Sequence, residues 1–178
     1  MFSLQNLDPT EYRQRTRKSS LILIVVFASL GMGLASLLVI IWGVPGGNHF
    51  RLNLLGVLLG LAITLLLVKL VFSKQPFMQE AIYGWHLKRN LMRVTNKMHT
   101  IKTLAAADNP NALQLLRFYH LALEQMHHLE GDDTAILELK ADKLANEEKM
   151  LSLNMNTELT YLDPNWLLAI EQQGTKNN

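Results

Sequence analysis

His120, Glu124, His127 and His128 lie within nine residues of one another. On a helix His120 and Glu124 are one turn apart and Glu124 and His127 are three residues apart, so these three share a face. Imidazoles beside a carboxylate are metal-ligand chemistry. A Glu-x-x-His pair is part of the ligand set of a di-iron bundle, which needs two such pairs and further glutamates. Only one is present, and His86 and His99, thirteen apart, fit no common face. The cluster is therefore read as solvated or bundle-edge histidines, with a membrane enzyme or metal-binding protein kept as an alternative. The chain has no cysteine, which removes disulfides, thiolate metal sites and cysteine nucleophiles. It shows no phosphate loop, nucleophile elbow or dinucleotide motif. No catalytic, metal-ligating or cofactor-binding residue is assigned, no cofactor or small-molecule substrate is expected, and the chain is not expected to be an enzyme.

The elements that would carry such residues follow from composition. Of 178 residues, 49% are hydrophobic and only 18% charged, with mean hydropathy +0.10. Globular chains average about 25% charged. No Asp, Glu, Lys or Arg occurs from Ser19 to Phe50, nor from Leu52 to Val68. Leu21–Trp42 is 22 residues without charge, and about 20 apolar helical residues cross a bilayer core. Leu52–Phe72 reaches about 31 Å as a helix, with Lys69 near its end, where the ammonium snorkels to the headgroups. Two transmembrane helices are expected. A cleaved signal peptide is disfavoured, because the first run outlasts the about 7–15 residues of a signal core.

Gly43-Val-Pro-Gly-Gly-Asn-His-Phe50 joins the runs, so the spans form a hairpin with both termini on one side. Arg13, Arg15, Arg17 and Lys18 precede it, and Lys74, Lys88 and Arg89 follow; the loop side offers Arg51 and His49. The positive-inside rule places both termini in the cytoplasm. Within the spans the polar residues are Ser29, Ser36, Asn53 and Thr64. Without a buried ionisable residue, a pump or secondary transporter is not expected. An oligomeric pore stays open. Gly56-x-x-x-Gly60, Ser29/Gly33 and Gly31/Ala35 are small-residue pairs suited to close helix packing, within the hairpin or between copies.

From Ser73 the pattern is helical. Leu87, Leu91, Val94, Met98, Ile101 and Ala105 step by four and three, as in a coiled-coil seam, predicting one helix over 76–107 with Gly84 a weak point. Asn109 and Pro110 cap and start a second helix reaching Leu129, with Leu115, Phe118, Ala122 and Met126 on its seam. A third is expected over 135–153, with Leu137, Leu144 and Leu151 one heptad apart, and a short last one after Asp163. The fold class is thus all-α, in three parts: a basic N-terminal segment (1–20), a two-span transmembrane hairpin (21–72) and a cytoplasmic antiparallel helical bundle (73–178). Six basic residues stand against Glu80 alone between Ser73 and Ala107, while Asp108–Asn178 holds five basic and twelve acidic residues. The basic half is either a solvated face or a surface for anionic lipid, where each Lys or Arg is worth about 1 kcal/mol. Nucleic acid is not an expected partner, since no recognition module accompanies the charge.

Leu7-Asp8-Pro9, Tyr12-Arg13, Asn48-His-Phe-Arg-Leu-Asn-Leu-Leu-Gly-Val57, Pro76-Phe-Met78 and Trp85-His-Leu-Lys88 together resemble a family of small two-span inner-membrane proteins of gammaproteobacteria, classed as a domain of unknown function. The resemblance implies a bacterial inner-membrane location and a cytoplasmic helical tail, and no activity. The expected function is an inner-membrane anchor that presents a helical bundle for protein–protein contact or self-association. The alternatives are a subunit of an oligomeric pore and a membrane enzyme or metal protein.

Overall fold

A computed structural model describes the chain over residues 1–176, with side chains to Gln173. Seven α-helices and one pair of two-residue strands occur among the described residues. The chain divides into two compact units, 13–82 and 1–12 with 83–178.

Asp8 Oδ1 accepts from the Glu11 N–H at 2.8 Å, and Pro9 takes the first helical position, where no N–H is required. Helix α1 (Pro9–Trp42) has 34 residues, about 51 Å; its first turns carry the charges and the remainder is apolar. Helix α2 (Phe50–Leu70) has 21 residues. Both are long and apolar enough to cross a membrane. They pack as a hairpin through small residues. Gly56, Gly60 and Thr64 are buried. A Cβ on Gly56 would strike the Ala35 backbone, and one on Gly60 would meet the Gly31 backbone. The GxxxG motif thus serves the hairpin itself. Ser29 and Gly33 face outward, with nothing within 4 Å of a Cβ at Gly33. Apart from the buried Leu38, many large side chains point away from the pair: Ile24, Ile40, Leu58 and Leu65 are all more than half exposed.

The end of the hairpin is tied back to its start. Two 3₁₀ turns, Phe72–Lys74 and Pro76–Met78, follow α2. Arg15 Nη1 donates to Glu80 Oε1 at 2.8 Å, and the buried Ser19 hydroxyl donates to the Phe77 carbonyl. Arg15, in the basic first turns of α1, is therefore paired with Glu80, the sole acid between Ser73 and Ala107.

The second unit is the helical bundle. The single helix expected over 76–107 is instead two, α3 (Gln79–Thr95) and α4 (Met98–Ala106). The break lies at Asn96-Lys97, where the Lys97 N–H bonds the Val94 carbonyl at 3.0 Å, a tighter turn than α-helix. Just before it, the Thr95 hydroxyl bonds the Leu91 carbonyl at 2.9 Å, a back-bond that bends helices. Gly84, expected to weaken the helix, sits inside α3 with Tyr12 packed where its Cβ would be. Helix α5 (Pro110–Glu130) starts under the Asn109 cap, whose side chain accepts from Ala112 N at 3.2 Å. It ends at Gly131, whose φ of 81° suits glycine and lets its N–H reach the His127 carbonyl at 2.8 Å. Asp132 caps α6 (Asp133–Ser152), and α7 (Pro164–Lys176) closes the chain.

The core joins Leu87, Leu91, Val94 and Ile101 to Leu113, Leu115, Phe118 and Ala122 of α5, with Met150, Leu159, Leu162 and Ile170. This matches the seams of α3 to α5. It does not match that of α6. Leu137, Leu144 and Leu151 are 71%, 45% and 58% exposed, while Asn146 and Met150 are buried. Ile136, Leu139 and Lys143 share that inner side, half-buried. The first residues of the N-terminal segment join this core. Phe2 and Ser3 (β1) pair antiparallel with Leu162 and Tyr161 (β2), and Phe2, Leu4, Leu7 and Tyr12 pack on the bundle core. A short apolar strand gains more by covering the bundle than by remaining in water.

Candidate functional site

About two turns of α5 decide what the histidine cluster becomes. Leu113, Leu116, Arg117 and His120 recur at helical spacing, so Arg117 and His120 go inside with the leucines; both are under 10% exposed. Arg117 is fully occupied. Its Nε donates to the Thr157 carbonyl at 2.8 Å and its two terminal nitrogens each lie 3.0 Å from a carboxylate oxygen of Glu147. This bidentate pair ties α6 and the following loop to α5.

His120 is 4% exposed, and its Nδ1 has no hydrogen-bond partner. Burial pushes the imidazole down from its ordinary 6.5 to about 4. Asp142 opposes that shift, whereas Lys102, Arg117 and Lys143 reinforce it. The ring is therefore neutral at physiological pH. It borders two cavities between α4, α5 and α6. One of about 280 Å³ is lined by Lys102, Leu116, Asp142 and Asn146 among others. The second, of about 430 Å³, shares Lys102 and Asp142 and runs past Tyr119 and Leu139. Lys102 and Asp142 lie 4.0 Å apart with both side chains mostly exposed, a weak pair. At the other end Lys149 closes the C-terminus of α4, donating to the Ala105 and Ala106 carbonyls at 2.8 and 3.2 Å and pairing with Asp108 at 2.7 Å.

The other members of the cluster turn elsewhere. Both Glu124 oxygens accept from Lys143 Nζ, at 2.7 and 2.6 Å. His127 Nδ1 lies 3.6 Å from Asp132 Oδ2, and His128 is exposed. Shared helical face does not bring His120, Glu124 and His127 to one point. Among the described residues no group of three or more His, Asp or Glu side chains is placed to hold a metal ion. Sequence reasoning missed Arg117 and Lys149. An arginine on the apolar stripe of α5 was the available signal for the first; the second depends on where α6 lands.

A second polar network links the N-terminal segment to the bundle. Tyr83 Oη donates to Gln125 Oε1 at 2.5 Å and accepts from Gln5 N at 3.1 Å, and the Gln125 amide donates to the Gln5 carbonyl. Burial raises the Tyr83 pKa, against the hydrogen bonds it shares with Gln5 and Gln125, so the phenol stays neutral.

The outer face of α3 is basic and aromatic. Trp85 and Met92 are 54% and 64% exposed, and the Arg89 guanidinium sits 4.9 Å above the Trp85 ring. Lys88, on the same side, pairs with Glu130. Arg93 is exposed.

Comparison with known proteins adds a family and no activity. DUF3087, described as a protein of unknown function, matches residues 2–167. No curated protein and no solved structure matches the chain.

Proposed function

The chain belongs to the DUF3087 family, of unknown function, and on that premise we propose that it is an inner-membrane anchor of a bacterial cell presenting a cytoplasmic helical bundle for protein–protein contact. The observation that carries this reading is the polarity of the hairpin. Gly31, Ala35, Gly56, Gly60 and Thr64 lie inside together with Leu38, while Ile24, Ile40, Leu58 and Leu65 point out. That arrangement suits a lipid solvent, where close packing of small residues holds helices together. Thr64 spends its hydroxyl on the Gly60 carbonyl at 2.7 Å, leaving no unsatisfied polar group there.

Basic residues on both flanks of the hairpin support cytoplasmic termini. The Trp85-Arg89-Arg93 face supports contact of the first bundle helix with anionic headgroups, since aromatic and cationic groups favour the interface. The mechanism is positional. The spans hold the bundle at the membrane, and the bundle offers exposed apolar side chains to another protein.

Crosslinking of native membranes with mass spectrometry tests this. The chain should resist an alkaline wash, and lysines of α4 to α6 should link to protein, a second copy included. Release by the wash, or bundle lysines that link only within one chain, would overturn the reading.

A further inference from the structure

Leu137, Leu144 and Leu151 form a row along the outer face of α6, one heptad apart and 71%, 45% and 58% exposed. Isolated surface leucines need no explanation, but a heptad row is the seam of a helix pair. The row spans about 21 Å. The small Ala141, also exposed, lies between the first two leucines. Lys140 and Glu148 flank the central Leu144, each four residues from it and on opposite sides. Both are exposed and unpaired among the described residues.

From this we infer that α6 is the contact face for a second copy of the chain, paired antiparallel about a two-fold axis at Leu144. The inference rests on the protein-contact reading above and names the partner. An antiparallel two-fold brings residues equally distant from Leu144 on the two copies to the same level. Leu137 and Leu151 are each seven residues away, so each leucine at an end meets a leucine. Lys140 and Glu148 are each four away, so lysine meets glutamate at both symmetric places. The face is therefore self-complementary in shape and in charge, as an isologous interface must be. A parallel pair would set Lys140 beside Lys140 and Glu148 beside Glu148. A stripe this narrow falls below the roughly 1,200 Å² of a stable interface in dilute solution. Anchoring both copies in one membrane raises their effective concentration and makes so small a face sufficient.

The chain has no cysteine, so single cysteines report the contact in the full-length protein in its own membrane. Leu144→Cys should form a disulfide-linked dimer under mild oxidation several-fold faster than Leu168→Cys, an exposed position on α7. Leu137→Cys should link poorly to itself but readily to a co-expressed Leu151→Cys chain. Adding Lys140→Glu to the Leu144→Cys chain should lower the dimer yield several-fold, and adding Glu148→Lys as well should restore it. Leu144→Cys linking no faster than Leu168→Cys would overturn the inference, as would self-linking of Leu137→Cys at the Leu144→Cys rate or failure of the charge swap to restore the dimer. Capture of the Leu144→Cys chain by a protein of different mass would also overturn it, while leaving the protein-contact reading standing.

Discussion

Gly60 of α2 lies against Gly31 of α1 so closely that a Cβ on Gly60 would stand 2.6 Å from the Gly31 Cα. No real Cβ tolerates that distance from backbone, so the two helices approach at a separation that only glycine permits. Gly56 against Ala35 repeats the relationship one turn away. The hairpin is thus specified by two glycines on one helix and two small residues on the other.

Gly60→Val should consequently force the helices apart and lower the thermal midpoint of the full chain in detergent, at a cost of about 1–3 kcal/mol. Gly33→Val, at a glycine with nothing within 4 Å, should leave it unchanged. Equal effects of the two substitutions would show that the helices do not meet through Gly60.

Leu91 is 5% exposed in the bundle core, whereas Leu144 is 45% exposed. Leu91→Ala should destabilise the bundle by about 2–5 kcal/mol. Leu144→Ala should change it by less than about 0.5 kcal/mol in dilute detergent, where copies are apart. Thermal melts followed by circular dichroism separate the two. A large loss from Leu144→Ala alone would return that leucine to the core.

That contrast shows where sequence periodicity stops. It locates α6 within two residues, because leucines one heptad apart are a local signal. It does not say which side of α6 turns inward. Ile136, Leu139, Asn146 and Met150 recur at helical spacing as the leucines do, and the choice falls to Arg117 and Leu113 on α5. Arg117 binds Glu147 at 3.0 Å, and the Leu113 carbonyl accepts from Asn146 Nδ2 at 3.4 Å. The seams of α3 to α5 were legible because each has a single apolar stripe. The break at Asn96-Lys97 and the packing of Phe2, Leu4 and Leu7 were not, since both depend on partners distant in sequence. The histidine cluster was legible as a helical face but not as a site, because Lys143 takes Glu124 from across the bundle.

His120 makes bundle stability depend on pH. Its folded pKa, about 4, lies below the ordinary 6.5, so the unfolded chain binds a proton in a range where the folded one does not. The contribution is full above about pH 6.5 and is lost as pH falls toward 4, of the order of 3 kcal/mol. Burial opens most of this window; Asp142 narrows it, while Lys102, Arg117 and Lys143 widen it. His120→Leu should flatten the fall in thermal midpoint between pH 7 and pH 4.5 without lowering stability at pH 7. A slope as steep in the variant as in the wild type would assign the acid sensitivity to other groups.

Orientation in the membrane tests the central claim most directly. With no native cysteine, Gly47→Cys in the hairpin loop and Leu168→Cys, exposed on α7, can be probed in separate full-length chains with a membrane-impermeant maleimide. In cells whose outer membrane alone is opened, the Gly47→Cys chain should label rapidly, and the Leu168→Cys chain should label only after the inner membrane is broken. Rapid labelling of the Leu168→Cys chain in those same cells, with the Gly47→Cys chain protected, would contradict the account.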